Sequence, residues 1–158
     1  MRTRTGDYER FTFELFNLVD LGLNKGGNDF WEIYDPKDGH PDGGWQTGSH
    51  WGGLQHQTWS ATGLLRMVWY GLVGMRFEDE KLRFEPFLPE EVNSLELTRL
   101  NYGNMILNVK LEGEGNRIKE FKLNGIAMDT PEIPQNLTGE QTVSIVLEKS
   151  SGVGVAQL

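Results

Sequence analysis

The sequence predicts an α+β protein in which a helical part precedes a small antiparallel β-sandwich. Apolar residues recur at helical spacing in residues 7–24 and 59–74, whereas apolar and polar residues alternate with a period of two after Gly74. Short alternating runs separated by Gly and Asn turns are typical of antiparallel sandwiches. We therefore divide the chain into a helical part, a β module and a tail that we expect to be frayed. These are residues 1–74, 75–149 and 150–158.

The two predicted helices differ in how their apolar residues are distributed. In residues 7–24, the side chains of Phe11, Leu15 and Leu18 form one apolar stripe, which predicts an amphipathic helix. In residues 59–74, apolar side chains lie nearly all the way round, which is typical of a helix that is covered on most sides. One amphipathic helix and a small β module offer too little surface to cover the second helix on most sides. The second helix therefore indicates an interior with more helices than this chain supplies.

The β module is predicted from its alternation and its turns. A hairpin about residues 79–81 is expected first, and residues 126–141 are expected to form a polar crossover before the last strand. The predicted strands are residues 75–78, 82–85, 95–100, 105–111, 118–123 and 142–147.

Between the helices, residues 28–58 follow neither period. Loops of this length in compact domains are usually functional or disordered, and disordered segments are poor in aromatic residues. This loop is rich in aromatic rings and in acidic and imidazole side chains: Phe30, Trp31, Tyr34, Trp45, Trp51, Asp29, Glu32, Asp35, Asp38, His40, Asp42, His50 and His56. Broad rings cover the C–H faces of sugars and carboxylates accept their hydroxyl groups. The loop therefore suits a carbohydrate ligand.

Composition argues against several other classes of function. The formal net charge of -8 argues against nucleic acid, whose binding proteins show basic patches, and against an anionic membrane surface. No apolar run is long enough to span a bilayer. The chain has no cysteine, so a disulfide framework and a thiolate metal site are both excluded. We expect no cofactor and no metal, because the spacing of His40, His50 and His56 fits no helical ligand pair.

Four segments of the chain together resemble a known group of enzymes. They are FWEIYDP, QTWSAT, YGLVGM and LRFEPFLP, at residues 30–36, 57–62, 70–75 and 82–89. With the order of helix, aromatic loop, apolar helix and β module, the chain resembles the C-terminal end of the (α/α)6-barrel glycoside hydrolases. That group includes processing α-glucosidase, trehalase and mannosylglycerate-hydrolase-like enzymes.

The resemblance implies an incomplete barrel and an incomplete active site. Residues 7–24 and 59–74 would be the last two of twelve barrel helices. Glu32, in the W-E-x-Y-(D/N)-P position, would be the catalytic base of an inverting two-carboxylate mechanism. The general acid belongs in the resembled enzymes to an earlier barrel segment that this chain does not contain. We therefore expect a C-terminal fragment of a hydrolase acting on α-linked glycosides, inactive alone.

The candidate substrate-binding residues surround Glu32 in sequence. Tryptophan rings suit stacking on sugar, although large aromatic side chains usually pack within the protein. An aspartate before proline also suits a structural turn. The expected substrate-binding residues are Trp31, Tyr34, Asp35, Trp45 and Gln57.

Two other interpretations stay open at this point. In the first interpretation, the β half and the aromatic loop form a carbohydrate-binding module without catalytic activity. This interpretation is weaker than the hydrolase interpretation, because residues 75–149 contain no tryptophan. In the second, the chain is structural and associates with itself, since an uncovered apolar helix favours self-association. The expected partners are thus carbohydrate and either a second copy or the missing remainder of the barrel. The first residues lack the apolar core of a signal peptide, and a longer parent protein in the periplasm or outside the cell is compatible with the sequence.

Overall fold

Helices and strands follow one another along the chain in the order that the sequence predicts. The computed structural model describes residues 7–41, 44–46, 49–51 and 53–149. Its contacts divide the chain into two compact units, Met1–Met67 and Val68–Leu158. The sequence analysis places the division after Gly74. The difference arises because Val68 and Val73 contribute side chains to the core of the second unit.

Both predicted helices are present. Helix α1 spans Tyr8–Asp20 and continues as a π-helical turn over Leu21–Lys25. Helix α2 spans Thr58–Arg66 and continues as a π-helix over Met67–Leu72. None of the described helices has the length and apolarity needed to cross a membrane.

Both helices leave large apolar side chains exposed to solvent. Leu15, in the predicted stripe of α1, is buried, whereas Phe13 and Phe16 on the same helix are 68% and 38% exposed. Helix α2 has no buried side chain, and Trp59 and Leu65 are 62% and 50% exposed. The described residues therefore leave α2 uncovered, because neither α1 nor the short loop segments provide enough surface to cover it.

All the predicted strands form, and four further short strands accompany them. Two of these, β1 and β2, pair antiparallel within the long loop. The other two, β8 and β9, lie in the segment predicted as a polar crossover. The strands are β1 Gly44–Gln46, β2 Ser49–Trp51, β3 Met75–Glu78, β4 Lys81–Phe84, β5 Ser94–Tyr102, β6 Met105–Gly113, β7 Arg117–Leu123, β8 Ile126–Ala127, β9 Glu132–Pro134 and β10 Gly139–Glu148.

The second unit is a sandwich of two mostly antiparallel sheets. One sheet has the order β3-β4-β9 and the other has the order β5-β6-β10-β7-β8. Strand β10 pairs antiparallel with β7 but parallel with β6, so the larger sheet is mixed rather than purely antiparallel. Alternation reports which face of a strand is buried and not which strand lies beside it. The sequence therefore predicted the strands without this central parallel pair.

The core of the second unit lies between the two sheets. Alternate residues of β6 and β10 are buried, from Met105 to Leu111 and from Gln141 to Leu147. They meet Leu82 and Phe84 from the smaller sheet in one apolar cluster. The rings of Phe84 and Phe121 lie 5.5 Å apart across the two sheets. Burial of this apolar surface is what stabilises the sandwich.

Ion pairs cover the outer face of the smaller sheet. Arg83 Nε donates to Glu78 Oε1 at 2.8 Å, and Arg76 Nε donates to Glu85 Oε2 at 2.9 Å. Arg83 also contacts Glu85. The hydrogen bond from Arg83 holds the pKa of Glu78 below its ordinary value. These pairs are exposed, so they set the polarity of this face more than its stability.

A close backbone crossing joins the segment before β3 to the segment after β4. The Glu85 N–H donates to the Gly74 carbonyl at 2.8 Å, and the Phe87 N–H donates to the Leu72 carbonyl at 2.9 Å. Leu88 and Gly115 then exchange two backbone hydrogen bonds, of 3.0 and 2.7 Å. The YGLVGM and PFLP segments thus pack against each other.

Gly74 is the tightest point of that crossing, and its replacement tests it. Gly74 has a φ of 70°, and a Cβ there would lie 2.0 Å from the Glu85 carbonyl oxygen. Left-handed backbone costs an alanine about 1–2 kcal/mol, and the clash adds about 1–3 kcal/mol. We expect Gly74→Ala to lower the free energy of unfolding of the second unit by roughly the sum of the two, measured by urea denaturation with circular dichroism.

Gly125→Ala is the matched control for this variant. Gly125 also has a positive φ, of 80°, but nothing lies within 4 Å of its added Cβ. Only the conformational cost then applies. Equal losses of stability in the two variants would contradict a steric requirement at Gly74.

Candidate active site

The described part of the long loop forms a short backbone ribbon with the segment before α2. The Glu32 N–H donates to the Leu54 carbonyl at 2.8 Å, and the Gln57 N–H donates to the Phe30 carbonyl at 2.9 Å. These two bonds join residues 30–32 to residues 54–57. Glu32 therefore occupies a position fixed by its backbone, although it lies in a segment with no helical or strand pattern.

The π-helical turn at the end of α1 packs against this ribbon and accepts hydrogen bonds from it. The Asp29 N–H donates to the Gly22 carbonyl at 3.1 Å. A Cβ on the buried Gly22 would lie 2.8 Å from the Phe30 ring, so the ring packs directly against the glycine. The Trp31 indole N–H donates to the Gly26 carbonyl at 3.2 Å. A π-turn shifts the backbone relative to an ordinary helix, and here it presents Gly22 and Gly26 to the loop.

Glu32 itself is half-buried between one aromatic and one aliphatic neighbour in sequence. Trp31 and Ile33 on either side are also half-buried. A carboxylate in this setting keeps access to water while its backbone is held. That is the minimum that a general base requires, since it must reach both a water molecule and the substrate.

The structure gives Tyr34 and Asp35 local contacts. The Tyr34 hydroxyl accepts a hydrogen bond from the Trp31 N–H at 2.9 Å. The Asp35 carboxylate accepts one from the Lys37 N–H at 2.7 Å, and the Asp35 carbonyl accepts one from the Gly39 N–H at 2.9 Å. Asp35 thus forms the structural turn that its position before Pro36 indicates. Both side chains keep the Trp31–Asp35 segment in one conformation.

The other two candidate residues lie at the edges of the loop. Trp45 lies in β1, opposite His50 of β2, and its side chain is outside the described part of the structure. Gln57 is the N-cap residue of α2, and its side chain makes no capping hydrogen bond. The described contacts hold Trp31, Tyr34 and the backbone of Glu32 together in one short segment. One backbone hydrogen bond joins Gln57 to Phe30 of the same segment.

A side-chain contact that the sequence analysis did not single out also joins the two segments of the ribbon. His56 Nδ1 lies 2.9 Å from Asp29 Oδ2. Both residues belong to the polar set of the loop, but twenty-seven positions separate them, and no local pattern indicates such a contact. Across the described residues, no group of three or more His, Asp or Glu side chains is placed to hold a metal ion.

Comparison with known proteins bears on the second unit. Residues 75–127 match the family described as glycosyl hydrolase family 65, C-terminal domain. The match runs from β3 to β8 and covers about a third of the chain. No curated protein matches the chain. The β module is thus similar to a C-terminal module of a glycoside hydrolase family, which agrees with that part of the resemblance found in the sequence. The match bears neither on the group of enzymes nor on the barrel helices, and it does not extend to Glu32.

Replacement of Gly26 tests whether the contact between the end of α1 and the loop stabilises the first unit. A Cβ on Gly26 would lie 2.1 Å from the Asp29 carbonyl oxygen, and the φ of Gly26, -82°, is ordinary for any residue. We expect Gly26→Ala to lower the free energy of unfolding of the first unit by about 1–3 kcal/mol through this clash alone. Urea denaturation followed by tryptophan fluorescence measures it.

Gly63→Ala is the control, because Gly63 lies within α2 and nothing is within 4 Å of its added Cβ. That variant is expected to gain about 0.5–1 kcal/mol from the better helix propensity of alanine. A gain in both variants would show that the loop does not depend on close contact with Gly26.

Proposed function

We propose that this chain is the C-terminal part of a glycoside hydrolase acting on α-linked glycosides, with Glu32 as the general base. The observation that carries the proposal is the match of residues 75–127 to a domain described as C-terminal in a glycosyl hydrolase family. A helical unit holding the FWEIYDP segment directly precedes that domain in sequence. In the resembled enzymes this is where the base lies.

The proposed chemistry needs two carboxyl groups on opposite sides of the scissile bond. In inverting enzymes, one donates a proton to the leaving oxygen and the other removes a proton from the attacking water, the two being about 6.5–9.5 Å apart. Glu32 has the second role in this proposal. The first role belongs to a residue of the part of the enzyme that precedes this chain. The chain alone therefore lacks the group that protonates an ordinary leaving group.

The contacts of the loop support a positioned base. Glu32 is held through its N–H by the Leu54 carbonyl, and the neighbouring Trp31 is held through its indole by Gly26. Catalytic groups act efficiently when the surrounding structure fixes their place before substrate arrives. We assign the substrate-facing roles to the ring faces of Trp31 and Trp45 and to polar groups of Tyr34, Asp35 and Gln57.

Apolar surface on the helices supports a missing partner. Phe13 and Phe16 of α1 and Leu23 of its π-turn are 68%, 38% and 56% exposed. Trp59 and Leu65 of α2 add to the exposed apolar surface. Exposed apolar surface of this kind marks sites of association. In the proposal the preceding helices of the barrel cover it, and self-association is the expected behaviour of the isolated chain.

Substrates that differ in their need for an acid test this assignment. Fluoride leaves without a proton, whereas a methoxyphenyl group needs one, and a general acid contributes about 10²–10⁴ in rate. The inactivity expected of the chain alone applies to substrates whose leaving group needs a proton. We therefore expect the chain to hydrolyse an α-glycosyl fluoride slowly and a methoxyphenyl α-glycoside not at all. Glu32→Gln should abolish the fluoride reaction, measured as fluoride release.

Asp38→Asn is the control for this variant, since Asp38 is a carboxylate of the same loop whose Oδ1 accepts the His40 N–H. It should leave fluoride release unchanged. Glu32-dependent hydrolysis of the methoxyphenyl glycoside would contradict the missing acid. Fluoride release that does not change in Glu32→Gln would contradict the base.

A second candidate function, glycan binding by the sandwich without catalysis, is favoured by an aromatic cluster in the second unit. The Phe77 ring lies 5.9 Å from Tyr70 and 5.2 Å from Tyr102. Phe77 and Tyr70 are 42% and 36% exposed, and burial raises the pKa of the Tyr102 hydroxyl. Exposed rings with hydroxyl groups beside them are suited to the faces and edges of sugar rings.

This second function predicts measurable binding of α-linked glucan oligosaccharides to the whole chain by titration calorimetry. Loss of one stacked ring in Phe77→Ala should weaken binding about tenfold. Ile126→Ala, which removes a 69% exposed apolar side chain from β8, should not. Binding that depends on Glu32 and Trp31 instead of Phe77 would place the glycan in the loop.

A further inference from the structure

The contact between Asp29 and His56 connects the two strands of the ribbon that carries Glu32. His56 Nδ1 lies 2.9 Å from Asp29 Oδ2, and the other carboxylate oxygen, Oδ1, accepts the Phe30 N–H at 2.8 Å. Oδ1 of Asp29 thus accepts a hydrogen bond within its own segment, and Oδ2 contacts the opposite segment. The Asp29 side chain is 21% exposed and that of His56 is 83% exposed.

The pair lies beside the Gln57–Phe30 bond. Asp29 immediately precedes Phe30 in one segment, and His56 lies between Leu54 and Gln57, the two bonded residues of the other segment. The side-chain contact therefore adds a third link between the same two segments. Since a further link disfavours local separation of the two segments, the pair bears on how often the Glu32–Leu54 bond is broken.

His56 adopts a backbone conformation that points to the same role. Its φ is 60°, in the left-handed region. Non-glycine residues occupy that region at a cost, and they do so where the surrounding contacts hold them. The contact with Asp29 is a side-chain contact of His56 and joins it to the opposite segment.

We propose that Asp29 and His56 are positioning residues for Glu32. Their side chains fasten residues 29–32 to residues 54–57 and so keep the Glu32 backbone bonded to Leu54. The catalytic meaning of this rests on the proposed role of Glu32 as base. The positioning itself is a property of the ribbon and is measured without substrate.

Exchange of the Glu32 amide hydrogen, followed by NMR on the whole chain, measures the positioning. His56→Gly removes the imidazole and suits the positive φ best, whereas His56→Asn keeps a donor near the place of Nδ1 and tolerates the same φ. From the typical size of exposed ion pairs, we expect His56→Gly to speed exchange at Glu32 roughly two- to fivefold. His56→Asn should restore the rate of the unmodified chain.

Asp29→Asn separates the pair from the flexibility that glycine adds. It keeps Oδ1 for the Phe30 N–H and removes the charge that faces His56. If the pair acts as proposed, His56→Gly speeds exchange less in the Asp29→Asn background than in the unmodified chain. The amide of Val109 in β6, in the other unit, serves as the control for the fold and should keep its rate in every variant.

The results distinguish this inference from the proposed function. Unchanged Glu32 exchange in His56→Gly, equally fast exchange in His56→Asn and His56→Gly, or strictly additive effects of the two positions would overturn the positioning role. Exchange that follows the expectation supports it even when fluoride release shows no dependence on Glu32. Fluoride release that does not depend on Glu32 would refute the role of Glu32 as base, but it would not affect the positioning role of Asp29 and His56.

Discussion

The backbone bonds between residues 30–32 and 54–57 determine the geometry of the candidate site. A long segment without helical or strand period has many conformations, and ordering each residue costs about 1–2 kcal/mol. Two hydrogen bonds, the Asp29–His56 contact and the packing of Phe30 on Gly22 hold this one. Glu32 therefore has a defined place, on which the proposed role as general base depends.

The two units of the chain differ in how their apolar residues are covered. The second unit has a continuous apolar core, and its residues 75–127 match a C-terminal domain of a glycosyl hydrolase family. The first unit carries the aromatic acidic loop and exposes the apolar side chains of Phe13 and Trp59. The proposed function rests on this contrast between a unit with its own core and a preceding unit with exposed apolar side chains.

Much of the fold was predictable because periodicity is a local property. The stripe around Leu15 predicted α1, and the alternation in residues 105–111 and 142–147 predicted β6 and β10 to within three residues at each end. Strands β8 and β9 were missed, since two or three residues are too few to show alternation. The parallel pairing of β6 with β10 was also missed, because it joins strands about thirty residues apart.

The sequence by itself determined the α+β class, the aromatic acidic loop and the choice of Glu32 as the residue of interest. Those features depend on the type and spacing of neighbouring residues. Only the tertiary structure decided that Gly22 and Gly26 support the loop and that His56 reaches Asp29. The reason is physical: each of these contacts depends on where the π-turn and the ribbon bring distant backbone together, and no local pattern of side chains records that distance.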